Sequence, residues 1–402
     1  PAMVVKNLPA KVVERIKVVD KKTDEAEFSG VSTKDEKEKV MDLELKSEYQ
    51  EGWFGNAKLH GGFPIKGEDA NELSIDNKAL FNASAMAAYY NEVDQITLLA
   101  NGKNVDDYGG GSVSVYTGTD DIDSFAGREG IITSAQAGVN YNTERIGGME
   151  MSSNVAYNYS NKDAREKSHR TSFQSIGSDI ETDTEYNGIG TDSRLSANII
   201  LKNRDTERFL FNINPTFYYT ARKRNESYTS ATAYGDGQLN NSQSSTFSQT
   251  DVFNTRTSWN LGVQNLGKDN RSLTFAGNFT YRNKAGTSSD YSITDFGESS
   301  DIKNLMSGTA VNYLATEGIL SYVEPISSNW SLQTRFTVCY ISQSDDISAF
   351  NGIDGSANDN YSSYSRNQDL LLRERLLMQY EKDNAKAVFG LQIDQENVKI
   401  TS

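Results

Sequence analysis

Apolar side chains recur at every second position in segment after segment of this chain, and no other feature constrains its fold as strongly. Thr133, Ala135, Ala137, Val139 and Tyr141 alternate with Ser134, Gln136, Gly138, Asn140 and Asn142. After the turn-forming run Thr143–Gly148, Met149, Met151, Val155, Tyr157 and Tyr159 alternate with Glu150, Ser152, Asn154, Ala156 and Asn158. Successive side chains of a strand point to opposite faces, so each segment has one greasy face and one hydrated face, and the pair reads as a hairpin. The same pattern returns at 195–201 with 209–219, 257–263 with 273–281, 318–322 with 332–340, and 370–380 with 387–393. It is weaker at 80–90 with 95–99 and at the opening segment 53–59. Thirteen strands are therefore expected between about residues 53 and 398.

Composition matters here because the mean hydropathy of −0.61 is low enough for disorder, which would show no such period. With 40 Lys and Arg against 55 Asp and Glu, the net charge of −15 leaves no basic footprint for nucleic acid. One cysteine, Cys339, rules out an internal disulfide framework or a multi-thiolate metal site. Two histidines, His60 and His169, leave little for a histidine-based metal or triad site, and no cofactor site is indicated. No run of 18 apolar residues occurs, so a helical membrane span is excluded. The sequence opens at Pro1 with no signal-peptide pattern, so a mature chain or one cut out of something longer is expected.

The connections alternate as well. Short turns are expected at 91–94, 143–148, 202–207, 267–270, 325–329 and 381–385. Long polar stretches separate them at 60–79, 101–131, 160–192, 222–255, 284–310 and 344–367. Short turns on one side and long loops on the other describe an antiparallel transmembrane β-barrel of the outer-membrane kind. A closed barrel is also the one sheet that lipid accepts, since open edges leave backbone groups unsatisfied. A soluble sandwich or propeller would alternate too, but rarely needs strands of the 9–13 residues expected here. Aromatics near the strand ends suggest two interfacial girdles. Trp53, Tyr89, Tyr141, Trp259 and Trp330 fall toward the short turns, and Tyr157, Tyr159, Tyr219, Tyr281 and Tyr340 toward the long connections. On this reading Asn154, Asn158, Asn212, Asn214, Asn278, Arg335, Arg373 and Arg375 face the lumen.

Residues 1–47 differ, with dense charge around two short expected strands, Ile16–Val19 and Val40–Leu45. Here residues carry a resemblance. Asn7-Leu8-Pro9-Ala10 with Val13-Glu14-Arg15-Ile16-Lys17-Val18 resembles the late plug segment of TonB-dependent outer-membrane receptors. The Lys39–Lys46 strand resembles the segment that closes the plug. Met3–Lys6, Asp24–Gly30 and Gly52-Trp53-Phe54-Gly55-Asn56 are similar to the bacterial branch of outer-membrane β-barrel, carboxypeptidase-regulatory-like proteins, as is the turn Tyr322–Asn329. The resemblance implies that residues 1–47 are the C-terminal part of a plug and residues 48–402 the first part of a transmembrane barrel of 22 strands. Thirteen strands, half a plug, and no TonB box or terminal aromatic residue then suggest an internal part of a larger receptor. Further strands, from the rest of the chain or a partner, would close the barrel.

What the resemblance implies about function is ligand uptake across the bacterial outer membrane, driven through a TonB-type energy-transducing partner. The surroundings would be membrane lipid and lipopolysaccharide, with a surface lipoprotein or an outer-membrane complex as a possible further partner. The alternative is a barrel that transports nothing and serves as a scaffold or accessory subunit of an assembly or secretion complex. A secreted adhesive β-protein is a third class, and would stay dispersed without detergent.

No enzyme motif emerges. Asp120, Asp121 and Asp123 offer hard oxygen ligands for calcium, but their spacing matches no defined calcium loop, and a solvated acidic rim is the plainer reading. Asp345-Asp346 is expected in a loop, and Asp354-Gly355 with Asn358-Asp359-Asn360 in loop turns. Gly109-Gly110-Gly111 lacks the Lys-Ser/Thr of a phosphate loop. Cys339 is expected on the lumen side as an inert thiol.

Overall fold

Residues 12–22, 28, 37–47, 51–63, 79–105, 130–175, 177–203, 207–235, 237–382 and 385–401 are described by a computed structural model of the chain. Two strands, β1 (Val13–Lys22) and β2 (Lys37–Leu45), form a separate antiparallel pair. Thirteen more build one antiparallel sheet: β3 (Gly52–Gly62), β4 (Leu80–Tyr90), β5 (Asp94–Lys103), β6 (Ile131–Ile146), β7 (Met149–Ser172), β8 (Ile180–Asn203), β9 (Phe209–Tyr234), β10 (Gly237–Gln264), β11 (Ser272–Asp295), β12 (Ser300–Pro325), β13 (Trp330–Asn351), β14 (Ser363–Lys382) and β15 (Ala385–Thr401). Each strand pairs with its sequence neighbours, and β3 and β15 are the two edges of the sheet, which is not closed among the described residues. The all-β, thirteen-strand antiparallel architecture expected from the period of two is the one observed.

Strand length departs from expectation. From β7 to β14 the strands run 20–28 residues, not 9–13. Much of the stretches at 160–192, 222–255, 284–310 and 344–367 is therefore ladder rather than loop, and Asp345 and Asp346 stand on β13. The reason is that both faces of these extensions are polar. Ser, Thr and Tyr hold the backbone pairing while the apolar alternation that marks a strand disappears. The turn expected over 143–148 is likewise shorter. β6 and β7 are joined by Gly147 and Gly148 alone, with φ of 34° and 78°. Two successive positive φ values are what a tight hairpin matched to strand twist requires, and glycine supplies them without strain.

Register shows how the strands lie. One cross-strand row runs through Tyr89, Ile96, Tyr141, Ser153, Ile199, Pro215, Thr257, Phe279, Thr316, Tyr340, Leu370 and Asn397. On β4 this row lies one residue from the short-turn end at Tyr90; on β15 it lies twelve from the end at Ala385. A steady stagger of about one residue per strand is what tilted strands in a barrel wall produce.

The two faces of the sheet are opposite in character. One carries Leu98, Val139, Val155, Leu195, Phe217, Phe253, Phe275, Leu320, Phe336 and Leu376, each 38–47% exposed. The other carries Thr97, Asn140, Ser196, Ser272, Thr274, Ser321, Gln333 and Thr337, each 6% exposed or less. The small apolar cluster of Met86, Leu99 and Ala156, with Phe54 against it, lies on that second, polar face. A water-soluble protein buries its apolar face; this sheet does the reverse.

Candidate functional site

The polar face of the sheet is the surface on which chemistry can be arranged, and the alternation of each strand sets which residues reach it. Asn154 and Asn158 on β7, Asn212 and Asn214 on β9, and Asn278 on β11 all stand on this face with Arg335 of β13 and Arg373 and Arg375 of β14. Several of their interactions run to neighbouring strands. The Asn198 amide donates to Asn214 Oδ1 at 2.7 Å and to Thr216 Oγ1 at 2.9 Å. Asn278 Nδ2 donates to Glu317 Oε2 at 2.8 Å. Arg373 makes a two-pronged pair with Asp394 at 2.9 and 3.1 Å, and Arg375 donates to Gln392 Oε1 at 3.0 and 2.7 Å. Arg335 is register-paired with Arg375. Cys339 lies on the same face, opposite Glu317 and Leu371.

Several side-chain oxygens on this face are buried without a hydrogen-bond partner among the described residues: Oδ1 of Asn154, Asn158, Asn254 and Asn260, and Oδ1 of Asp369. Buried polar atoms of this kind are normally satisfied by ordered water or a bound molecule. The N-terminal region touches the same face: the Phe28 ring lies 2.7 Å from where a Cβ of Gly262 would stand, with the Thr274 methyl beside it. Gly262 leaves the room that the ring occupies.

The opposite face carries every aromatic expected in the two girdles. Tyr157, Tyr159, Tyr219, Tyr281 and Tyr340 each lie 8–10 residues from the short-turn end of their own strand, and above them both faces become polar. At about 3.3 Å per residue and a tilt near 40°, this is a band some 20–25 Å tall. Toward the short turns, Trp53 and Tyr89 pair at 5.0 Å and Trp330 and Tyr380 at 4.9 Å. Tyr141 and Trp259 sit five residues in from the short-turn ends of their strands, within the band. Trp259 packs on Phe275 at 5.9 Å. Polar pairs anchor the short-turn rim: Asp94 with Arg145 at 2.6 Å and Thr143 at 2.7 Å, and Glu324 with Arg271 at 2.8 and 2.9 Å.

Above the band, the β7–β8 extension carries a depression lined by Lys167, His169, Asp183 and Glu185. His169 Nδ1 is 2.7 Å from Asp183 Oδ1, and that hydrogen bond and charge, helped by Glu181, raise the imidazole above its ordinary 6.5. The pair therefore stabilises the extension at pH below the unfolded value and loses its effect as pH rises through the folded one. Both groups are exposed, so the effect on stability is small. Titration of the imidazole proton shifts by NMR is expected to give a midpoint above 6.5, which moves back toward it in Asp183→Asn.

Sequence reading missed a group of cations on the polar face, Arg194, Arg222, Arg224, Arg256, Arg282 and Lys284. Extending the even-position count of Asn212 and Asn214 up β9 would have found Arg222 and Arg224. Asp120, Asp121, Asp123 and Gly109–Gly111 lie outside the described residues. Asp354 and Gly355 do form a turn, with Asp354 accepting from Ser356 N at 2.9 Å and Gly355 at φ 70°. Among the described residues, no group of three or more His, Cys, Asp or Glu side chains is placed to hold a metal ion.

No family model matches the sequence, and no curated protein matches it. The solved structures it resembles include the copper transporter OprC, at 9% identity, covering 89% of this chain and 74% of that one, with a TM-score of 0.18. A TM-score that low gives the likeness no weight for fold or function.

Proposed function

We propose that the chain is part of an outer-membrane β-barrel receptor that takes up a ligand through a plugged lumen, with energy delivered by a TonB-type partner. The observation that carries this reading is the inversion of the sheet. Its apolar rows are exposed over a band of bilayer height while its polar rows are buried, which hydrocarbon outside and water inside would require. The staggered register supports a tilted barrel wall, and the aromatics at the margins of the band support two lipid–water interfaces. Phe28 against Gly262 supports β1 and β2 as part of a plug lying on the lumen side. Ligand uptake and TonB coupling rest on the resemblance of residues 3–56 and 322–329 to TonB-dependent receptors.

The test is accessibility at adjacent positions on β9. In a Cys339→Ser background, nitroxide labels at Phe217→Cys and Tyr218→Cys are compared in bilayers for collision with oxygen and with a water-soluble nickel chelate. Phe217 is expected to favour oxygen and Tyr218 the chelate. Equal access of the chelate to both, or a protein that stays dispersed in buffer without detergent, would overturn the membrane reading.

A further inference from the structure

Glu374 stands where the rest of the sheet's apolar face carries no charge. It lies on β14 between Leu372 and Leu376 along the strand, with Phe336 of β13 and Ile393 of β15 beside it in its row. Its side chain is exposed there. Among the described residues, every other side chain on this face between the short-turn rim and the upper tyrosines is uncharged. The carboxylates of Asp94 and Glu324 stay at the rim, where Arg145 and Arg271 meet them. Tyr380, six residues below Glu374, packs on Trp330, and Leu370, four residues above it, shares a row with Tyr340. At about 3.3 Å per residue and a tilt of about 40°, Glu374 lies about 15 Å above one margin of the band and about 10 Å below the other.

No described cation of the chain answers this carboxylate. Arg373 and Arg375 stand on the opposite face, where Asp394 and Gln392 hold them. On the apolar face of β13–β15 the nearest cations are Arg366 and Lys382, each eight residues along β14, and Lys399, six residues beyond Ile393. Those separations, about 26 and about 20 Å along a strand, exceed the reach of an ion pair. Among the described residues Glu374 has no hydrogen-bond or ionic partner. An ionisable group inside hydrocarbon is costly and is kept where a partner offsets the cost. Lipid headgroups stay at the margins of the band, about 10 Å away at the nearest. A lysine or arginine on a neighbouring membrane segment meets the need, because its aliphatic stem suits the apolar wall while its charge meets the carboxylate. Such a cation is itself costly in lipid, so the two charges offset each other only in the complex. Phe336, Val338, Leu372, Leu376, Leu391 and Ile393 surround Glu374 with packing surface, the arrangement of a polar anchor inside an apolar contact. Gln395, diagonal to Glu374, adds an amide beside it.

We propose that Glu374 and the apolar residues around it are a docking surface for a membrane-embedded segment of a second protein that presents a lysine or arginine at the same depth. The docking depends on the apolar face meeting lipid, as proposed for the barrel.

The test uses the full chain in phosphatidylcholine vesicles with synthetic, tryptophan-free polyleucine transmembrane peptides. The peptides carry a dansyl group and differ at one position, about seven residues from one end, which holds arginine, glutamine or leucine. Energy transfer from the protein's tryptophans, with Trp330 on the neighbouring strand, reports association. The arginine peptide is expected to associate about tenfold or more tightly than the other two, and to lose that advantage with Glu374→Gln. A glutamate peptide is expected to recover it with Glu374→Lys. Equal association of the arginine and glutamine peptides with the parent, or an unchanged arginine preference in Glu374→Gln, would overturn the docking surface. A nitroxide at Leu376→Cys in the Cys339→Ser background, without peptide, separates the two levels of failure. A label that favours the water-soluble nickel chelate over oxygen would remove the lipid-facing reading and the docking with it. A label that favours oxygen, with no discrimination among peptides, would overturn the docking alone.

Discussion

Arginine in place of Ile213 is expected to cost the folded protein about 2–4 kcal/mol, while arginine in place of Asn214, one residue along, is expected to be tolerated. Ile213 stands four residues above the short-turn end of β9 on the exposed apolar face, in a row with Leu201 and Trp259. If this face meets lipid, as proposed, a charge there would have to enter hydrocarbon or drag water with it. Asn214 is on the polar face, and its partner Asn198 keeps a second acceptor in Thr216 Oγ1 at 2.9 Å. Equilibrium unfolding of both variants from lipid bilayers measures the difference. Equal losses would mean that the two faces meet the same solvent.

The second large effect concerns a gap that the sequence leaves for an aromatic ring. Gly277 is flanked by Trp259 on β10 and Gly318 on β12. A Cβ at Gly277 would meet the backbone oxygen of Glu317 and would stand 2.5 Å from the Trp259 ring. Gly277→Val is expected to destabilise by about 1–3 kcal/mol and to change the near-ultraviolet signal of the displaced indole. Gly318→Val is the contrast, because a Cβ there meets only the Phe275 ring, at an ordinary 3.8 Å. That variant is expected to be neutral or mildly stabilising, since β-branched residues suit strands. Thermal unfolding followed by near-ultraviolet dichroism separates the two, and a neutral Gly277→Val would show that the indole does not need the gap.

Some of the site was legible in the residues alone. The faces of Asn154, Asn158, Asn212, Asn214, Asn278, Arg335, Arg373 and Arg375 followed from counting positions, because a strand offers a side chain only two directions. The hairpin order of the strands followed for a similar reason, since each short turn leaves neighbouring strands nowhere to pair but with each other. Strand extents were not legible in this way, and the cations of β8–β11 could be counted onto a face only by carrying the two-residue period past the last apolar residue of each strand. Residues such as Arg222, Arg224 and Lys284 lie where polar side chains occupy both faces, so the hydropathy period that reveals a strand is absent although the ladder continues.

By itself, then, the sequence determined the alternation, the strand count and which residues share a face, all of which are local consequences of a two-residue repeat. Only the tertiary structure decided which face is exposed, how far the strands extend, and that six cations from four strands meet in one patch. Those depend on register between strands. A one-residue slip would leave each strand's own pattern intact while changing every neighbour across the sheet.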